Sequence, residues 1–438
     1  MLSRTIVCGI ATHRQPEVLL RFNLPQITPH LRLGWQWPKA LRAMRHRNFR
    51  LFFFGQLISV SGSWMQSTAQ QWLVYRLTGS QLSLGAVTFA GYAPVLVLSL
   101  FMGVIVDRFP RRRLLLITQI WFMLLAAVLA LITFLGIVEY WHILLLATLL
   151  GVANALDMPT RQAFYADMVE REDLLNAIVL NSSIFNGGRI IGPALGGLVI
   201  ASLGEAPAFG LNSLSYLAVI TGLLLMRIKP FKPPSNPGTS LAEFKDGLVY
   251  LGSDRRLTGL VGMIALLSVF VFPFTVLLPA FARDVLGTGA EGYGALLSSQ
   301  GVGALLGALM LAFGGDRSKK ALILLLARIL LAAAVIAFAI STIPILSMFA
   351  MLAAGFAFIT QLAVTNTSIQ LLVPDELRGR VMSAYTWALA GFWPLGSLLI
   401  GALGDHFSSQ TAVLLSAAAS ILLIVIGQIW IPANTDME

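Results

Sequence analysis

The chain has 438 residues, 57% of them hydrophobic and only 11% charged, and a mean hydropathy of +0.80. Soluble domains carry about 25% charged residues, so most of this surface is read as facing lipid, and a soluble globular protein is excluded. The net charge of +10 is too thinly spread to point to nucleic acid and reads instead as the Lys and Arg excess that membrane proteins keep on inner loops.

Residues 1–48 form a basic tail broken by Pro16, Pro25, Pro29 and Pro38, without the continuous apolar run of a signal peptide. Cys8 is the single cysteine, which excludes an internal disulfide and a metal held by a cysteine cluster. Runs of about 20 apolar residues then mark membrane helices. Spans 1 to 6 are predicted near 49–76, 81–106, 113–137, 141–166, 175–203 and 207–228, making an N-terminal bundle over 49–228. Residues 229–256 read as a linker, rich in Pro and Ser at its start, with "LAEFKDGLVYL" as an amphipathic helix along the membrane surface. Spans 7 to 12 are predicted near 257–281, 291–314, 320–342, 344–371, 378–404 and 410–431, making a second bundle over 257–431, with a tail at 432–438.

All 30 Lys and Arg except Arg76, Arg189, Arg283 and Arg328 fall on one set of alternate loops or at its edge. By the positive-inside rule both termini are expected in the cytoplasm. The halves also resemble each other. Val169, Gly192 and Gly197 plus 204 give Val373, Gly396 and Gly401, and "DRFPRRR" at 107 recurs as "DRSKK" at 316, an offset of 209. A duplicated six-helix unit, with substrate held between two rocking halves, follows from such a repeat.

Between spans 2 and 3 the turn "GVIVDRFPRRR" packs Gly103, Asp107, Arg108, Arg111, Arg112 and Arg113 into a few residues. Topology anchoring alone explains the arginines but not the Gly-x-x-x-Asp-Arg prefix or its echo at Asp316 and Arg317. On span 4, Asp157 and Arg161 are four apart and share a face. They read either as a carboxylate available to a proton cycle or as a pair holding the bend at Pro159. On span 5, Gly187, Gly188, Gly192, Gly196 and Gly197 surround Pro193, a seam for close helix packing. Arg189 in the same span lies roughly 20 Å into the helix. It must face a cavity or a partner, gripping an anionic or polyphenolic substrate or clamping loosened carbonyls near Pro193. Arg328 on span 9 is expected to snorkel to headgroups. Gln66 and Gln70 on span 1, and Gln361, Thr365 and Asn366 on span 10, either bond helix to helix or line an aqueous cavity.

The turn at Gly103, Asp107, Arg108, Arg111 and Arg112 resembles the loop signature of the major facilitator superfamily. That resemblance covers about 45–431 and implies an all-α integral membrane protein with twelve transmembrane helices in two pseudo-symmetric six-helix bundles. It further implies that Asp107 and the arginines act as a conformational latch closed in the outward-open state, with Asp316 and Arg317 as a degenerate copy. Gly192, Pro193, Gly196 and Gly197, with Gly188 upstream, resemble the superfamily's span 5 antiporter motif, which implies export. Asp157, Pro159, Arg161 and Gln162, with "VEREDLLNA" after them, resemble the branch containing enterobactin exporters and macrolide efflux proteins. By the same resemblance spans 1, 4, 7 and 10 line the cavity, making Gln66, Gln70, Asn154, Phe272, Phe274, Gln361, Thr365 and Asn366 candidate lining residues, with Asp157, Arg161 and Arg189 as candidates for substrate or proton coupling. Phe272 and Phe274 flank Pro273, a bend suited to a gate.

The expected function is a secondary exporter of a small, apolar or aromatic molecule, a siderophore or a drug, with protons as counter-ion. The alternative is a proton-coupled importer of the same fold. The location implied is the bacterial inner membrane, with lipid and a small molecule as partners, no nucleic acid, and a monomer allowed. No Walker loop, metal-spaced His pair or nucleophile elbow is present, so no enzyme activity, cofactor or metal is expected.

Overall fold

Lipid offers backbone N–H and C=O groups no partner, so a chain this apolar closes its hydrogen bonds inside helices. The computed structural model describes residues 38–228, 240–313 and 320–430, with the backbone alone described at Lys39, Leu100, 240–246 and 428–430. Most of the N-terminal tail, the start of the linker, the C-terminal tail, and Asp316 and Arg317 lie outside the described residues.

The first bundle comprises α1 (Arg47–Thr78), α2 (Gln81–Arg108), α3 (Arg111–Phe134), α4 (Tyr140–Met168), α5 (Leu174–Leu203) and α6 (Glu205–Leu225). The linker helix is α7 (Ser240–Ser253). The second bundle comprises α8 (Arg255–Phe270), α9 (Ala290–Phe313), α10 (Lys320–Ile340), α11 (Pro344–Leu372), α12 (Asp375–His406) and α13 (Ser409–Trp430). Eleven stretches are long and apolar enough to cross a membrane among the described residues. The remaining expected span, α1, has 32 residues. That is ample length at 1.5 Å per residue, but its glutamines and serines dilute its hydropathy. Large apolar side chains such as Phe134, Leu198 and Phe313 stand exposed on the outer surfaces, an arrangement suited to lipid and a liability in water.

Span 7 is not the single helix expected. After Phe270 the chain continues as the 3₁₀ segment Phe272–Leu277, the turn Leu278–Ala280 and the π-helical turn Phe281–Val285. Pro273 and Pro279 each remove a backbone donor there, and the broken backbone is tolerated because it is buried among neighbouring helices.

The internal repeat extends to the packing. α2 packs on α4 as α9 packs on α11; α1 contacts α5 and α6 as α8 contacts α12 and α13; α3 meets α4 and α6 as α10 meets α11 and α13. Single contacts recur at the same offsets. A β-carbon placed on Gly151 would collide with the Gly91 carbonyl, and one on Gly355 with the Gln300 carbonyl. Adding 204 to the glycine and 209 to the carbonyl residue turns the first contact into the second.

The basic tail does not simply trail from the bundle. From Lys39 to Arg45 it forms a 3₁₀ helix docked on the loop before α5. Asp173 in that loop is buried and holds Arg42 at 2.9 Å, Arg45 at 2.7 Å and His46 at 2.7 Å. Burial works against its charge, but the His46 hydrogen bond and the charges of Arg45 and Arg42 outweigh it and hold the carboxyl below its usual range. This clasp is therefore fully formed above the pKa of a free aspartate and opens only as pH falls through the lowered value.

The α9–α11 crossing depends on Gly355. Gly355→Val is expected to destabilise the protein by about 1–3 kcal/mol, read as a lower melting temperature in detergent. Gly262→Ala, where nothing lies within 4 Å, should change it by less than about 0.5 kcal/mol.

Candidate functional site: the seam between the bundles

Two helix pairs join the bundles, α5 with α9 and α2 with α12. The glycines of α5 serve two faces. Gly188, Gly192 and Gly196 lie against Val60, Trp64, Met65 and Thr68 of α1, inside the first bundle. Gly197 turns to the other bundle: a β-carbon there would sit 2.7 Å from the Ala290 carbonyl oxygen, and one on Gly401 would sit 2.6 Å from that of Gln81. These contacts are again related by 204 and 209. Pro193 deprives the Arg189 carbonyl of its helical donor, and Gly301 packs directly against that carbonyl, while Ser298 Oγ donates to the neighbouring Ile190 oxygen at 2.8 Å.

Arg189 is half-buried on this seam. Its guanidinium lies over the Phe358 ring of the opposite bundle at 5.6 Å, and it makes no hydrogen bond or ion pair among the described residues. A cation held on a ring face gains about 0.5–2 kcal/mol, which leaves its five N–H donors unengaged. Behind Phe358 stands Phe272, edge-on at 4.6 Å, with Trp393 at 6.2 Å from Phe272. Phe358 and Trp393 are half-buried and Phe272 is buried. One cation facing an aromatic wall is the chemistry that receives an anionic or π-rich molecule.

Phe358 and Trp393 escaped the sequence reading. The signal for them was the repeat itself: Arg189 plus 204 is Trp393, and Asn154 plus 204 is Phe358. The residues gather around the pseudo-twofold relation of the halves.

Other expected residues sit elsewhere. Asp157, 3% exposed, accepts from Thr118 Oγ1 at 2.7 Å, Gln119 Nε2 at 2.9 Å, and Arg161 Nε and Nη2 at 3.0 and 2.6 Å. This is a closed cluster within the first bundle, and Arg189 has no part in it. Gln66 is buried and accepts from Asn212 of α6 at 2.7 Å. Phe274 packs on Phe338 of α10, within the second bundle. Gln361 and Thr365 are buried. Gln70, Asn154 and Asn366 are half-buried.

The seam closes at one end. At the face opposite the arginine turn, Asp405 at the end of α12 accepts from Ser80 Oγ at 2.6 Å and from the backbone N–H groups of Gln81 at 2.5 Å and Leu82 at 3.1 Å. An acid of one bundle thus caps the first turn of a helix in the other. Nearby, Tyr75 donates to Asp284, and Arg283 stacks over the Tyr75 ring at 5.6 Å. At the arginine face, Arg111 binds Asp167 at 3.0 Å and Arg112 binds the Leu224 carbonyl at 2.8 Å, both within the first bundle. Arg108 is exposed, Asp107 has no hydrogen-bond or ionic partner among the described residues, and a β-carbon placed on Gly103 would meet nothing of another helix within 4 Å.

Comparison with known proteins matches the transmembrane secretion effector family over residues 39–436. The chain is 27% identical to the multidrug efflux pump Tap of Mycolicibacterium fortuitum, covering 89% of this chain and 96% of the pump. It is 26% identical to the staphyloferrin A transporter of Staphylococcus aureus, covering 82% and 90%. It is 27% identical to the enterobactin exporter EntS of Shigella boydii serotype 18, covering 87% and 90%. Its fold matches the crystal structure of the nucleoside transporter NupG with a TM-score of 0.70 at 14% identity, over 87% of this chain and 98% of that one.

Removing the Asp405 cap should loosen the closed end without unfolding either bundle. Asp405→Ala is expected to cost about 1 kcal/mol, shifting the population about fivefold toward opening at that face. Spin-label distances between the α1–α2 turn and the α12–α13 turn, in a Cys8→Ser background, would show it. An unchanged distance distribution would mean the cap does not set the equilibrium.

Proposed function

The chain belongs to the transmembrane secretion effector family of the major facilitator superfamily, multi-pass membrane transporters rather than enzymes, and from that premise we propose that it is an exporter. Its cargo in this reading is a small molecule bearing an aromatic or anionic group, a siderophore or a drug, carried out of the cytoplasm by alternating access. The arginine face lies in the cytoplasm, with both termini. The seam site of Arg189, Phe358 and Trp393 receives the cargo, and the Asp405 seal and the Asp107 turn alternate as the closed end.

One observation carries this reading. A permanent cation sits at mid-span between the bundles with an aromatic face as its partner and no acid paired with it among the described residues. Centring an arginine in a membrane costs at least about 2.5–3.5 kcal/mol, an expense that packing alone does not explain and a negative or π-rich cargo offsets. The names of the relatives, a drug pump and siderophore transporters, support the same class of cargo and the outward direction. Protons are the proposed counter-ion, and Asp157 is their proposed carrier as the one acid deep within a span among the described residues. Its protonation would release Arg161, a change felt at the Pro159 bend two residues away. The linker over 229–256 joins the two bundles as an inner-face tether in this scheme.

The roles separate by variant. Arg189→Ala is expected to cut export about tenfold or more with expression and melting temperature unchanged, while Phe358→Leu weakens apparent substrate affinity. Asp157→Asn removes half of a buried pair and should destabilise the first bundle by about 3–5 kcal/mol, as well as uncoupling transport from pH. The assay is substrate accumulation in everted vesicles acidified inside. Full export by Arg189→Ala would end the proposal for this site, and proton-driven uptake into right-side-out cells would select the importer.

A further inference from the structure

Arg328 of α10 is 6% exposed, and its Nε has no acceptor. No other hydrogen bond or ion pair engages it among the described residues. It does not snorkel to the headgroups. Its guanidinium presses on α13, where a β-carbon placed on Gly427 would stand 2.8 Å from Nη1, so a glycine makes room for the buried head. Helices α8, α10, α11 and α13 contain no Asp or Glu, so nothing within these four spans can neutralise the charge.

At a similar depth on the neighbouring helix α11 lie buried polar groups with no hydrogen-bond partner among the described residues. Gln361 is 0% exposed with neither amide atom paired among the described residues, and the hydroxyls of Thr365 and Ser368, one and two turns on, are likewise buried and unpaired there, whereas that of Thr360 lies against Gly307 of α9. The levels match. Arg328 is eight residues beyond Lys320, about 12 Å along α10, and Thr365 is seven before Leu372, about 10 Å along α11 from the same face.

The repeat explains what this place is. The offsets that relate the Gly151–Gly91 contact to Gly355–Gln300 also relate Gln119 to Arg328 and Asp157 to Gln361. In the first bundle that pair is joined, Gln119 donating to Asp157 at 2.9 Å, with Arg161 balancing the charge. In the second bundle the acid position holds an amide and the amide position holds a guanidinium. The first bundle carries its own carboxylate at this place; the second keeps the positive charge and the donors but lacks the acid.

We propose that Arg328, with Gln361 and Thr365, forms a binding site for a monovalent anion inside the second bundle. A guanidinium offers two parallel N–H donors to a carboxylate or a concave edge to a halide, and the α11 amide and hydroxyl supply further donors. The anion is either chloride from the medium or the carboxylate of an organic solute. Occupancy needs only the fold, so the site stands or falls independently of export.

The test uses the purified full chain in nanodiscs, with thermal unfolding followed by tryptophan fluorescence. Chloride or formate replaces isethionate at constant ionic strength. The expected result is a saturable rise of the midpoint that Arg328→Gln abolishes. A response to formate above that to chloride identifies an organic carboxylate as the occupant, and a response to chloride alone identifies the medium. Should Arg328→Gln fail to fold, Gln361→Leu carries the test, with apparent anion affinity expected to fall about tenfold. A flat midpoint for the wild type in both salts, an equal rise in Arg328→Gln, or unchanged affinity in Gln361→Leu overturns the site.

Discussion

Helices in a bilayer gain no hydrophobic drive by touching, because lipid tails are as apolar as leucine; how closely their backbones approach decides whether they stay together. In this protein many of the closest approaches are glycines set against carbonyl oxygens, and several come in symmetry-related pairs. Gly197 on Ala290 and Gly401 on Gln81 are among the contacts that join the two bundles. Both lie in the half of the molecule remote from the arginine turn, beside the Asp405 cap. The close-packed end of the seam and the polar lock are therefore one structure.

That structure is held by few and weak elements. An N-cap contributes about 1 kcal/mol, and a cation over a tyrosine ring about the same. Two states separated by a few such terms are both populated, which is what a rocking carrier requires and a rigid scaffold does not. The helix pair α2 and α12 carries acids at both faces: Asp405 caps α2 at the closed end, and at the other Asp107 makes no hydrogen bond or ion pair among the described residues, with Asp375 and Glu376 in the first turn of α12.

Hydropathy made the spans legible, and spacing made the repeat legible, because both are properties of a chain read in one dimension. The direction of a side chain is not. Gln66 and Gln361 could be read as bonding helix to helix or as lining a cavity, and both are buried; an amide in a span gives the same signal whether it meets water or another helix. Arg328 looked close enough to the surface to reach it, and only Gly427, about a hundred residues away, reveals the pocket that holds it. The break of span 7 was half visible in Pro273, yet the π turn at Phe281–Val285 has no sequence mark. Phe358 and Trp393 are two aromatics in an aromatic-rich chain until the repeat offset is carried through from Asn154 and Arg189.

The three deep arginines are answered in three different ways, and the difference bears on how binding and movement are linked. Arg161 has Asp157, so its charge is balanced inside the first bundle whenever that acid is ionised. Arg328 is enclosed within the second bundle, and its environment travels with that bundle. Arg189 alone lies on the seam, facing a ring that belongs to the other body. When the bundles tilt, its surroundings change and those of the other two need not. An empty seam closing over Arg189 would strip water from a cation that has no counter-charge among the described residues, whereas a seam holding an anionic or π-rich occupant would not. The penalty for closing thus depends on occupancy at the one arginine whose environment the motion alters, and that dependence ties cargo to conformational change without any further device.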